Sequence, residues 1–109
     1  MTQEFTDIFG EYAYKPMGSS LNIDLSELAK ATGFKQPTPT ATANQIAAML
    51  VLFWAQKTEN REDDPTVSFT CKASNQSIID RGGVSQIANT YTITIYTQNP
   101  SKLDPNNVN

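Results

Sequence analysis

A chain of 109 residues with 8 Lys and Arg against 11 Asp and Glu has a formal charge of −3 and contains no histidine. Such a length supports one domain-sized core, since folding it buries roughly 65% of the surface of the unfolded chain. The acidic balance argues against nucleic acid as a partner, because its phosphates would be approached against the net field. The missing imidazole removes Ser-His and Cys-His nucleophiles, histidine metal sites and imidazole bases.

The opening stretch MTQEFTDIFG carries Glu4 and Asp7 where a secretory leader would have basic and apolar residues, which points to a cytoplasmic protein. Phe5, Ile8, Phe9 and Tyr12 fall at i, i+3, i+4 and i+7, the face of a short amphipathic helix, although Gly10 interrupts it. The alternative is an aromatic arm folded over the core in another conformation. A first firm helix starts after Asp24, where Asp24-Leu25-Ser26-Glu27 forms a variant of the capping box, and it ends at Gly33 with Phe34 folding back. Pro37 and Pro39 make KQPTPTA a stiff connector.

A second helix follows, capped by Thr40 or by Thr42 with Gln45, and runs to about Lys57. Its run Ile46–Ala55 is uncharged and apolar all round, about half of the ~20 residues that span a bilayer. No membrane span is therefore expected. Such a helix needs cover on every side, so Leu50, Phe53 and Trp54 are expected to be buried inside the chain; the other option is that one side meets a second protein. The polar stretch TENREDDP then reads as a solvated loop.

From Thr66 the period becomes two. Val67, Phe69, Cys71 and Ala73 alternate with polar residues, as do Tyr91, Ile93 and Ile95, which predicts two half-buried strands. A three-residue connection at Asp80-Arg81-Gly82 joins them into one long hairpin. That register sets Cys71 opposite Tyr91, Phe69 opposite Ile93 and Val67 opposite Ile95. At the tip it pairs Ile78 with Val84 on the opposite face and leaves Ile79 and Ile87 on the first. The alternative for this segment is a loop folded back over the core. The tail SKLDPNNVN has little to bury, so 99–109 is expected to be flexible.

The remaining chemistry is sparse. Cys71 lies on the apolar face of a strand and reads as a small core filler. Glu59, Glu62, Asp63 and Asp64 have no EF-hand spacing and read as loop charges. Asp80-Arg81-Gly82-Gly83 fits a turn better than a phosphate site.

These readings combine into an α+β fold. An N-terminal aromatic arm, two helices and a C-terminal antiparallel hairpin packed on the apolar second helix make one domain over 1–98. The expected function is that of a non-catalytic interaction or assembly subunit, without metal or other cofactor. Its partner would be another protein or a second copy of the chain, met through Ile78, Ile79, Arg81, Val84 and Ile87. The alternative is a small-molecule-binding module, its pocket lined by Phe53, Trp54, Tyr91 and Ile93.

Overall fold

The computed structural model of the chain describes residues 5–16, 18–98 and 102–108. They form an α+β protein with three α-helices followed by a two-stranded antiparallel sheet. Where the sequence reads as one domain over 1–98, the backbone gathers into two compact units, Met1–Lys57 and Thr58–Asn109.

The first unit is helical. Helix α1 spans Phe5–Phe9, and the i, i+4 pair of phenylalanine rings within it lies 5.1 Å centre to centre. Helix α2 spans Leu25–Thr32. The Asp24 carboxylate accepts from the N–H groups of Ser26 and Glu27 at its start, and the N–H groups of Gly33 and Phe34 both donate to the Ala29 carbonyl at its end. Only half of the expected capping box forms here. The Glu27 carboxylate turns away from its own helix and accepts from the N–H groups of Glu11 and Tyr12, at 2.7 and 3.1 Å. Gly10 makes this approach possible, because a β-carbon there would stand 2.5 Å from Glu27 Oε1. An antiparallel bridge between Tyr14 and Asn22 closes the intervening turn.

The connector holds a single 3-10 turn over Thr38–Thr40, and helix α3 spans Ala43–Lys57. Its N-terminus is a complete capping box, in which Gln45 N–H donates to Thr42 Oγ1 and Thr42 N–H donates to Gln45 Oε1. The core of the unit is Leu28, Ala29, Met49 and Phe53, with Ile23, Leu25, Phe34, Ile46, Leu50 and Trp54 packed around it. Burial along α3 is one-sided, against the expectation of cover all round. Phe53 is 2% exposed, Leu50 and Trp54 are only half-buried, and Leu52 on another side is 38% exposed. The helix supplies one face to the core of its unit, and its apolar composition exceeds what that face requires.

The second unit is built on the hairpin of β1, Phe69–Arg81, and β2, Val84–Ile95. The loop before it is more ordered than its polarity suggests, because Asp64 accepts from the N–H and hydroxyl of Thr66 and pairs with Arg61 at 3.1 Å. After the strands, residues 102–108 close a 3-10 turn over Pro105–Asn107 with Asp104 as its cap. Of the tail expected to be flexible, 99–101 and 109 lie outside the described residues.

Candidate interaction surface

The strands are joined by two residues, not three. Gly82 and Gly83 both hold positive φ, 61° and 84°, the conformation of a type I′ turn that glycine adopts without strain. Asp80 fastens the turn by accepting from Gly83 N–H at 2.9 Å. Arg81 then faces Val84, Ile79 faces Gln86 and Ile78 faces Ile87.

A two-residue turn pairs odd-numbered residues of one strand with even-numbered residues of the other. The apolar alternation of both strands needs odd with odd. A bulge reconciles the two: the register shifts by one between Ala73 and Asn75, leaving Ser74 as the extra residue, with its hydroxyl bonded to the Thr90 carbonyl. Below the bulge Cys71 faces Ile93 and Phe69 faces Ile95, each two residues from the expected register. An even displacement keeps side chains on the same face. Phe69, Cys71, Ala73, Tyr91, Ile93 and Ile95 therefore share one face, as the alternation requires.

The bulge also exchanges two of the expected tip residues. Directly paired side chains point to the same side, so Ile78 and Ile87 extend the apolar face, while Ile79 and Val84 lie on the reverse with Arg81. The expected pairing of Ile78 with Val84 is corrected accordingly. The tip is a regular hairpin and not a loop folded back. Ile78 is 77% exposed, Ile87 63%, Val84 57% and Ile79 39%; Arg81 is exposed as well. All five residues read from the sequence as an interaction set lie on this one tip, on both of its sides.

Near the base, Thr58 is 2% exposed. Its Oγ1 accepts from Cys71 N–H at 2.9 Å and donates to the Cys71 carbonyl at 3.2 Å. One hydroxyl thus satisfies both backbone groups that Cys71 turns away from β2. Sequence reasoning missed this residue, since nothing in TENREDDP or its flanks distinguishes a buried threonine from a loop threonine. Cys71 itself is 2% exposed, and burial pushes its thiol pKa up, which keeps it in the unreactive thiol form.

The four residues of the expected pocket fall in different units. Phe53 fills the helical core, with the Lys57 ammonium 5.5 Å above its ring. Trp54 donates its indole N–H to the Ile8 carbonyl at 2.8 Å and so ties down the N-terminal arm. Tyr91 and Ile93 stand on the hairpin. None of the four lines the open groove of about 570 Å³ in the helical unit, whose walls include Tyr12, Tyr14, Asp24 and Pro39.

Among the described residues, no group of three or more Cys, Asp or Glu side chains could hold a metal ion. No helix among them is long and apolar enough to cross a membrane. Comparison with protein-family models, with curated proteins and with solved structures finds no match for this chain.

Proposed function

We propose that this chain is a non-catalytic assembly subunit whose hairpin tip docks on protein, either another polypeptide or a second copy of itself. The observation that carries this reading is the exposure of Ile78, Ile79, Val84 and Ile87 on both faces of a two-stranded tip. Isolated two-stranded hairpins are marginal in water, and contiguous exposed apolar residues of this kind mark contact sites. Arg81 and Asp80, next to the turn, supply a polar rim. The absence of histidine and the burial of the only cysteine fit a role without nucleophilic chemistry.

The test is a double substitution, Ile78→Ser with Val84→Ser, followed by light scattering and by thermal melting. The expected outcome is weaker assembly at an unchanged Tm, because neither side chain contributes to the buried core. A large fall in the Tm of the monomer would assign both residues to the protein's own interior and overturn the reading.

A further inference from the structure

The two outer edges of the hairpin are not alike. Antiparallel pairs alternate between those that exchange backbone hydrogen bonds and those whose N–H and C=O groups point outward. Tyr96 N–H donates to the Ser68 carbonyl, which fixes the phase: Phe69, Cys71 and Ala73 on β1, and Tyr91, Ile93 and Ile95 on β2, direct their backbone groups away from the partner strand. The Thr58 hydroxyl bound to Cys71 from outside is independent proof of that phase. Strand β2 has no bulge, so its outward set continues through Asn89, Ile87 and Ser85.

Natural edge strands are protected by charges, prolines, bulges or a covering group. The β1 edge has three of these devices: Lys72, Asp80 and Arg81 as charges, the bulge at Ser74, and the Thr58 hydroxyl at Cys71. Among the described residues the β2 edge has none of them. Val84–Ile95, VSQIANTYTITI, contains no charge and no proline across its twelve residues, and the sheet of the described residues has no third strand beside it.

We infer that β2 pairs edge to edge with β2 of a second copy, about a two-fold axis, to give a four-stranded antiparallel sheet. This rests on the assembly reading above and names its partner. The charge pattern selects the occupant. A charged strand laid here would find no counter-charge along the edge, whereas β2 itself is neutral over its whole length. In the register that engages every outward-facing residue, Ser85 meets Ile95 of the second copy, Ile87 meets Ile93, and Asn89 meets Tyr91. Ile78, Ile87 and then Ile93 and Cys71 of the second copy follow one another across the joined sheet. Ile87, 63% exposed in the single chain, thereby gains an apolar neighbour across the joined edge.

Ile87→Cys and Ile93→Cys, each made in the full chain together with Cys71→Ala so that no thiol faces position 93 within one copy, test the register under mild oxidation. Each variant alone should stay uncross-linked, because equivalent positions in the two copies are offset by six residues, about 20 Å along the strands. A mixture of the two should form a disulfide-linked dimer. In parallel, Ile93→Lys should weaken dimerisation on the order of 10-fold or more in sedimentation equilibrium, since lysine on an edge strand opposes pairing and both Ile87–Ile93 contacts across the edge are lost. Cross-linking of either variant alone, or dimers indifferent to Ile93→Lys, would overturn edge pairing but leave the assembly reading in place. So would a chain that stays monomeric while the serine variant keeps its Tm, which would leave a different protein as the partner. Open-ended polymers would likewise overturn the closed two-fold pairing.

Discussion

Single side chains with one defined task carry much of the order in the hairpin unit. The Thr58 hydroxyl stands in for a neighbouring strand by both giving and taking a hydrogen bond at Cys71. Thr58→Val keeps the shape but leaves a buried N–H and carbonyl facing a methyl group, and should cost about 1–3 kcal/mol in chemical denaturation. An unchanged midpoint would mean that water replaces the hydroxyl. Asp64 organises the preceding loop. The hydroxyl of Thr66 first, then its N–H, and then Arg61 hold the Asp64 carboxyl well below its ordinary 3.8, at about 2. A depressed carboxylate contributes stability above its unfolded value, and that contribution disappears as pH falls through the folded value. Protection of the Thr66 amide, measured against the exchange rate of an unstructured peptide at the same pH, should therefore hold down to about pH 4 and fall towards pH 2; Asp64→Asn should lower that protection and remove its dependence on pH in that range. Neither role was legible in the sequence. Both depend on which loop side chain folds back onto which backbone group, and periodicity carries no information about that.

At the scale of elements, the sequence was most legible where a local rule acts alone. The Asp24 cap, the Thr42–Gln45 box and the Gly33 stop appear where their residue types require. Glu27 shows how the same rule yields when a second set of donors competes, since the N–H groups at Glu11 and Tyr12 lie sixteen and fifteen residues away. The hairpin shows a different limit. Alternation correctly required like faces to meet, but two constructions meet that requirement: a three-residue turn with no bulge, or a Gly82–Gly83 turn with a bulge at Ser74. Only the second is found, and the choice between them decides whether Ile78 or Ile79 joins the apolar face. Deleting Ser74 removes the unpaired residue and leaves a regular ladder, with Asn75 opposite Thr90 and Ala73 opposite Tyr91 as before. The deletion variant should therefore keep both the Gly82–Gly83 turn and the Cys71–Ile93 pair in its nuclear Overhauser contacts. A slipped register below Ala73 in that variant would show that the bulge is needed to hold the two halves of the ladder in phase.

For the molecule as a whole, composition was a better guide to what is missing than to how the chain divides. The lack of histidine and the acidic balance were plain from the sequence, as was an apolar content greater than the helical core needs. The division after Lys57 was not, because TENREDDP reads equally well as a loop within one domain or as the start of another unit. Each unit is nevertheless a single continuous stretch of chain, and in the second nearly all regular pairing radiates from Gly82–Gly83. This has a consequence in time. Loop-closure entropy is smallest next to a two-residue turn and grows as the strands lengthen, and hairpins form within about 1–10 μs. Pairing therefore starts at Arg81 and Val84 and zips outward, through Ile78 and Ile87, before it reaches the irregular step at Ser74 and the base beyond. The tip that stands most exposed in the finished protein is the first part of the hairpin expected to take shape, so on a newly made chain its apolar side chains are arrayed before the segment that anchors the strands has closed.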